Sequence, residues 1–220
     1  MNISENLKKF KKELPADVTL VAVSKTKPVS DLMEAYNAGQ RVFGENKIQE
    51  MEAKWQEMPK DIQWHMIGHV QRNKVKYMAP FVSLIHAVDS LKLLKEINKE
   101  AEKNERTIEC LLQIKIAEED SKFGIDETDA ASLLSSEEFK KLQNVKIVGL
   151  MGMATFTDDD KQISEEFQKL KNAYEKFRDQ NSEIRILSMG MSGDYKVAIE
   201  NGSNMVRVGS AIFGERNYNN

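Results

Sequence analysis

A regular alternation between short apolar runs and longer charged stretches constrains the fold of this chain more than any other feature. The short runs are rich in β-branched residues, which is typical of strands, whereas the longer stretches carry apolar residues at helical spacing. We count eight strand-like runs, at residues 18–24, 40–44, 62–68, 82–88, 107–116, 145–152, 184–190 and 204–209. The helix-like stretches lie at residues 29–39, 46–58, 69–78, 90–104, 127–140, 160–180 and 194–201, and residues 4–14 predict an extra helix before the first strand.

Strands that alternate with helices pair in parallel, because a helical crossover returns the next strand in the same direction. Eight such units can close into a (β/α)8 TIM barrel, which needs about 200 residues, and the chain has 220. An open doubly wound sheet is the alternative, but its usual G-x-G-x-x-G turn after the first strand is replaced here by S-K-T-K-P. No linker-like segment interrupts the chain, so we expect an α/β barrel with an extra N-terminal helix, as one domain over residues 1–220.

The charge balance and the single cysteine narrow the class of protein. The chain has 32 Lys and Arg against 35 Asp and Glu, a net charge of −3 that argues against a nucleic-acid-binding protein. No run reaches the length of about 18 apolar residues that a transmembrane helix needs, and the N-terminus lacks the apolar core of a secretory signal. A lone Cys110 cannot form an internal disulfide and fits a reducing compartment. We therefore expect a cytoplasmic protein that binds neither nucleic acid nor a membrane.

Lys25 is the most informative single residue at the carboxyl ends of the strands, where the site of a closed barrel lies. It directly follows the apolar run VTLVAVS. If the side chain points into the barrel mouth, loss of hydration favours a neutral amine that can attack a carbonyl group. The alternative is an ordinary lysine that marks the exit of the chain into solvent.

Two clusters of small residues follow the last two strands. Ser192 and Gly193 open the helix after the seventh strand, and Gly209 and Ser210 follow the eighth. The loops after strands seven and eight of such barrels often hold a phosphate group, bound by free backbone N–H groups and hydroxyls. Ordinary turn glycines and a helix cap remain the structural alternative.

Arg207 lies inside the apolar run NMVRVG, where an unpaired charge would be costly, so it needs an acceptor from a carboxylate or a ligand. An amine nucleophile, a phosphate clamp and a buried arginine together describe a pocket for pyridoxal 5′-phosphate. The three histidines lack metal-ligand spacing, and the acidic run at 157–160 reads as a helix entry, so no metal site is predicted.

The sequence also resembles a known family, the pyridoxal phosphate homeostasis proteins, which are single-domain relatives of the barrel half of alanine racemase (fold type III). Seven motifs carry the resemblance in one order: VAVSKTKP (21–28), FGENKIQE (43–50), WHMIGHVQRNK (64–74), SKFG (121–124), GLMGMA (149–154), LSMGMSGD (187–194) and VRVGSAIFG (206–214).

The resemblance implies a role for each candidate residue. It makes Lys25 the residue that holds the cofactor as a Schiff base, and Arg207 the residue facing the pyridine nitrogen. Asn46 matches the polar residue beside the ring. The phosphate ligands that it implies are Ser192, Gly193, Gly209 and Ser210. His65 lies in a matching motif, and we interpret it as a hydrogen-bonded strand residue rather than a cofactor contact.

Three functions fit these features. The first is a carrier that holds pyridoxal 5′-phosphate on Lys25, acting in vitamin B6 homeostasis and amino-acid balance, with apo-enzymes as recipients and no strong reaction of its own. The second is a weak amino-acid racemase, although the C-terminal domain that supplies the second base in alanine racemase is not expected in 220 residues. The third is a cofactor-free aldolase that uses Lys25 directly. The features assign no catalytic residue, and we expect a monomer.

Overall fold

Eight parallel strands close into a barrel in the computed structural model, which describes residues 2–118 and 123–214. The strands follow one another around the barrel in sequence order, and β1 closes the ring by pairing with β8, where Thr19 lies opposite Met205. The predicted (β/α)8 fold is therefore confirmed. The strands are β1 Thr19–Val23, β2 Val42–Glu45, β3 Gln63–Met66, β4 Val82–Val88, β5 Ile108–Gln113, β6 Val145–Met151, β7 Ile186–Ser188 and β8 Met205–Val208.

Helices cover the outside of the barrel. In the described part of the chain they are α1 Ile3–Glu13, α2 Val29–Asn37, α3 Ile48–Glu57, α4 Val75–Met78, α5 Leu91–Lys103, α6 Glu127–Ser135, α7 Glu137–Lys140, α8 Asp160–Gln180, α9 Tyr195–Glu200 and α10 Ser210–Phe213. None of the helices described here is long and apolar enough to span a membrane.

Three helical segments differ from the sequence-based prediction. The stretch 127–140 is two helices rather than one, because Ser136 is extended and its hydroxyl caps the Phe139 N–H. The stretch 69–78 begins as a loop and a 3₁₀ turn at Arg72–Lys74 before the short α4. The four-residue α10 was not predicted, since one turn carries no periodic signal.

The extra N-terminal helix is present as α1. Asn2 caps it by accepting a hydrogen bond from the Glu5 N–H, and its buried residues Ile3, Leu7 and Phe10 share one face at helical spacing. The Asn6 side chain donates to the Ile212 carbonyl at 3.2 Å. Helix α1 is therefore held against α10, on the loop that follows β8.

Alternate strand residues divide the apolar core into two layers. Leu20 and Ala22 pack outward against the helices, whereas Val21 belongs to a smaller cluster of inward-facing residues. The other buried members of that inner cluster are Leu84, Ala87, Leu111, Val148, Met151 and Met205. Because these side chains fill the barrel interior, space for a ligand remains at the carboxyl ends of the strands.

Candidate functional site

A cavity of about 660 Å³ opens at the carboxyl ends of the strands. Its volume falls in the range of small-molecule sites, roughly 300–1,000 Å³. Every candidate residue from the sequence lines this one cavity: Lys25, Asn46, Ser192, Gly193, Arg207, Gly209 and Ser210. The structure thus brings together residues that are separated by up to 185 positions in the chain.

Lys25 lies two residues beyond the end of β1 and is partly buried. It borders the cavity rather than the open surface, which favours the ligand-facing interpretation over a simple exit to solvent. Asn46 reaches the same cavity from the end of β2. Gly68 allows the close approach of the next loop, since a Cβ atom there would lie 2.4 Å from the Asn46 carbonyl oxygen.

The loops after β7 and β8 meet at the mouth of the barrel and supply the remaining candidate residues other than Arg207. The Gly209 N–H donates to the Ser192 hydroxyl at 3.4 Å, which links the two loops. Gly193 is exposed, and a Cβ atom built on it would meet nothing within 4 Å. Hydroxyl groups and uncrowded backbone at this point are the kind of surface that accepts a phosphate group.

Arg207 is a buried cation in β8 whose guanidinium borders the cavity. It donates to the Ser188 hydroxyl at 2.8 Å and to the Gly152 carbonyl at 3.1 Å. Burial lowers the pKa of Arg207 to about 10, and the carboxylate of Asp194 partly offsets that effect. The group is therefore still a cation at neutral pH. The sequence predicted that Arg207 needs an acceptor, and the structure supplies a hydroxyl and a carbonyl as its hydrogen-bond acceptors.

A chain of buried polar side chains continues from Arg207 into the barrel. Ser188 Oγ lies 3.1 Å from His86 Nδ1, and His86 Nε2 lies 3.0 Å from His65 Nδ1. Burial lowers the pKa of His65 to about 3. It lowers that of His86 well below its ordinary value, and the charges of His65 and Arg207 add to the effect. Both histidines are therefore neutral at physiological pH, and His65 is a hydrogen-bonded strand residue, as interpreted from the sequence.

Sequence reasoning missed Ser188 and His86 as parts of this site. Both lie on strands, and their hydrogen bond joins residues 102 positions apart, which no local pattern reveals. A signal was present for Ser188, which ends β7 inside a motif already selected. Two exposed aromatic residues, Phe123 and Phe156, also line the cavity without having been predicted. In the SKFG motif, Ser121 and Lys122 lie outside the described residues.

Comparison with known proteins identifies the family. Residues 1–217 match the model of the alanine racemase N-terminal domain family. The pyridoxal phosphate homeostasis protein of Vibrio alginolyticus is 40% identical over 209 residues, which cover 93% of this chain and 89% of the relative. The chain belongs to this family. The protein of the same name from Aquifex aeolicus is 38% identical over 201 residues, covering 90% of this chain and 87% of the relative. The resemblance drawn from the seven motifs is thus confirmed.

Solved structures support the same assignment. PipY of Synechococcus elongatus PCC7942, solved without PLP, matches with a TM-score of 0.90 and 35% identity over 96% of this chain and all of that chain. PipY with PLP bound matches with a TM-score of 0.87 and 34% identity over the same shares of the two chains. Alanine racemase of Clostridium difficile 630 is 17% identical with a TM-score of 0.78, over 99% of this chain and 57% of the racemase, and shows the shared fold alone.

Proposed function

We propose that this protein binds pyridoxal 5′-phosphate, held on Lys25 as a Schiff base, and acts in vitamin B6 homeostasis and amino-acid balance. The observation that carries the proposal is the convergence of all seven candidate residues on one cavity of about 660 Å³. The family assignment supports it, since a PipY structure contains PLP.

The residues of the cavity fit the chemistry of this cofactor. Lys25 supplies a primary amine, and pyridoxal 5′-phosphate supplies an aldehyde that such an amine can hold reversibly. Arg207 supplies a hydrogen-bond donor for the pyridine nitrogen, and Asn46 supplies a polar group for the ring. We assign the phosphate to the hydroxyls and backbone of Ser192, Gly193, Gly209 and Ser210, at the junction of the loops after β7 and β8.

Arg207 favours a carrier over a strong catalyst. A guanidinium can only donate, so it does not leave the pyridine nitrogen protonated as a carboxylate partner would. An unprotonated ring is a weaker electron sink, which limits reactions that pass through a carbanion. Weak amino-acid racemase activity is the alternative function, and the same argument limits its rate.

The proposal extends to the domain organisation, the oligomeric state and the location of the protein. Each strand in the described residues belongs to the one barrel, which supports a single cofactor-binding domain over residues 1–220. We also propose that the protein functions as a monomer, in the cytoplasm, with apo-enzymes as recipients. Light scattering would contradict the monomer if it found a dimer, and cell fractionation tests the location.

The visible spectrum of the purified protein tests the cofactor assignment. We expect the wild type to turn yellow with pyridoxal 5′-phosphate and to retain a pyridoxyl group on Lys25 after borohydride reduction. Lys25→Ala should lose both signals, while Lys12→Ala, which removes an exposed lysine from α1, should keep them. A colourless wild type after incubation and dialysis would contradict the proposal.

Two further measurements test the phosphate site and separate the carrier from the racemase and the aldolase. Pyridoxal lacks the phosphate, so the wild type should hold it much more weakly if the loops after β7 and β8 bind that group. Equal retention of the two compounds would contradict the assignment of the phosphate to these loops but not the Schiff base on Lys25. Formation of a D-amino acid that disappears in Lys25→Ala would instead favour the racemase, and a reduced adduct that carries substrate carbons would favour the aldolase.

A further inference from the structure

Lys25 lies at the corner of a tight turn that follows β1. The Lys27 N–H donates to the Ser24 carbonyl at 3.1 Å, which closes a four-residue turn over Ser24, Lys25, Thr26 and Lys27. Thr26 has a φ of +65°. Among the described non-glycine residues only Glu105 shares a positive φ, so the φ of Lys25 is negative. A positive φ at the third position alone defines a type II turn, which favours glycine there. A β-branched threonine in this conformation is strained.

Helix α3 holds the two peptide groups that flank Lys25. The carbonyl before Lys25, that of Ser24, accepts a hydrogen bond from Lys54 Nζ at 2.8 Å. The N–H after Lys25, that of Thr26, donates to Glu50 Oε1 at 2.6 Å. Type I and type II turns differ in the orientation of the middle peptide, which here joins Lys25 to Thr26. The Glu50 contact therefore acts on the bond that distinguishes the two turns.

Buried charges fix the position of this clamp. Lys54 Nζ also donates to Glu45 Oε1 at 2.7 Å and to Glu50 Oε1 at 2.8 Å, so all three of its N–H groups have acceptors. Glu45 accepts a further hydrogen bond from the Ser24 hydroxyl at 2.6 Å. Lys54 and Glu45 are almost fully buried, whereas the Glu50 side chain keeps 24% of its exposure. Glu50 can therefore be removed without leaving Lys54 unpaired, since Glu45 remains.

We propose that Glu50 is a positioning residue for Lys25. By accepting the Thr26 N–H, it holds the Lys25–Thr26 peptide in the type II orientation and so directs the Lys25 side chain toward the cavity. Without Glu50 the peptide rotates to the type I orientation, in which Thr26 escapes its positive φ. The inference rests on the proposed function of Lys25, and it assigns to α3 a role in capture of the cofactor.

The test uses four variants of the whole protein. Glu50→Ala removes the acceptor, and Glu50→Ala with Thr26→Gly also removes the strain, because glycine adopts positive φ without a steric penalty. Thr26→Gly alone controls for the lost threonine side chain, and Glu57→Ala removes an exposed carboxylate from the same helix. The measurements are the dissociation constant for pyridoxal 5′-phosphate from absorbance, and the exchange rate of the Thr26 amide hydrogen by NMR in cofactor-free protein.

We expect Glu50→Ala to bind the cofactor about tenfold more weakly, which corresponds to about 1.4 kcal/mol and lies within the range for a strained non-glycine residue. Its Thr26 amide should exchange faster, and the double variant should recover most of the lost affinity. Thr26→Gly alone and Glu57→Ala should bind as the wild type does.

Two results of the binding measurement would overturn the inference. Wild-type affinity in Glu50→Ala would mean that the clamp does not act on Lys25, and a loss that Thr26→Gly fails to rescue would mean that Glu50 acts by charge rather than by orienting the peptide. Failure of the wild type to bind pyridoxal 5′-phosphate would instead contradict the proposed function. The Thr26 amide still tests the clamp in that case, because it is measured without cofactor, and an unchanged exchange rate would overturn it.

Discussion

At the scale of single residues, Arg207 is the most unusual side chain of the barrel, because it is a buried cation whose two hydrogen-bond acceptors in the structure are neutral. The Ser188 hydroxyl and the Gly152 carbonyl orient its guanidinium but do not neutralise it. Burial of a charge costs stability even where a carboxylate, here that of Asp194, partly offsets the effect, and such costs concentrate at functional sites. We therefore expect Arg207 to serve the ligand rather than the fold.

Arg207→Met should reveal this division of roles. The substitution removes a buried charge and keeps an apolar side chain in its place, so we expect the free energy of unfolding to fall by no more than ~1 kcal/mol. The affinity for pyridoxal 5′-phosphate should fall and the absorbance of the bound form should shift, because the proposed assignment places Arg207 at the pyridine nitrogen. Urea unfolding and absorbance titration measure the two effects.

Val206→Ala provides the matched control for Arg207→Met. Val206 is the preceding residue of β8 and is fully buried among the apolar side chains that pack against the helices. Its truncation should lower the free energy of unfolding by about 2 kcal/mol and leave cofactor affinity unchanged. A large loss of stability in Arg207→Met with wild-type affinity would reverse our assignment.

Site residues could be predicted from the sequence where a charged side chain interrupts or borders an apolar run. They could not be predicted where their role depends on contacts with distant elements. Lys25 and Arg207 were predicted because each is a charge beside or within an apolar run. Glu50 and Lys54 looked like ordinary polar residues of an amphipathic helix. Their contacts depend on how α3 lies against the end of β1, and they span up to 30 positions in the chain. Periodicity carries no information about such contacts.

At the scale of elements, helix α8 is hydrogen-bonded through Glu166 to two of the loops that follow the barrel strands. This buried carboxylate accepts hydrogen bonds from the Thr155 N–H at 2.6 Å and the Glu118 N–H at 3.2 Å. Burial alone would raise the pKa of Glu166, but the hydrogen bonds from Thr155, Glu118 and Gln162 outweigh it, and the pKa is lowered. Thr155 lines the cavity, so the carboxylate links α8 to the site.

Glu166→Gln should loosen the mouth of the barrel. The amide group can accept with only one of its two polar atoms, so at least one loop N–H loses its acceptor, at a cost of about 1–3 kcal/mol. We expect a lower free energy of unfolding and faster release of pyridoxal 5′-phosphate, measured by urea unfolding and by dilution of the loaded protein. Glu165→Gln, at an exposed neighbour on the same helix, should change neither, and equal effects of the two substitutions would contradict the role of Glu166.

The order of strands and helices could be predicted from the sequence, whereas some of their ends could not. Each barrel strand is a short apolar run that must be buried on both faces, so its signal survives without tertiary information. The break between α6 and α7 has a local cause that periodicity overlooks. Ser136 donates to the Leu133 carbonyl and accepts from the Phe139 N–H, so its side chain competes with the helical hydrogen bonds.

At the scale of the whole molecule, a chain of polar side chains crosses the interior of the barrel. The hydrogen bonds from His65 through His86 and Ser188 to Arg207 join β3, β4, β7 and β8 through the interior. Protonation of either histidine would place a second positive charge in the same enclosed space as Arg207. The barrel is therefore built for neutral histidines, and its stability should depend on pH at values where the exposed carboxylates do not yet titrate.

The stability of the protein should fall between pH 8 and pH 5, in part because of His65. The unfolded chain binds a proton at this residue with a pKa near 6.5, whereas the folded protein does so only at about 3. Acid therefore favours the unfolded state, and His65 alone should account for a loss of about 2 kcal/mol over this range. Urea unfolding at pH 8, 6.5 and 5 measures the effect. His65→Asn should show a dependence on pH that is smaller by this amount. The raised pKa of Glu45 acts in the opposite direction but equally in both proteins, so their comparison isolates His65. Parallel curves for the wild type and His65→Asn would show that this histidine takes up its proton without unfolding the barrel.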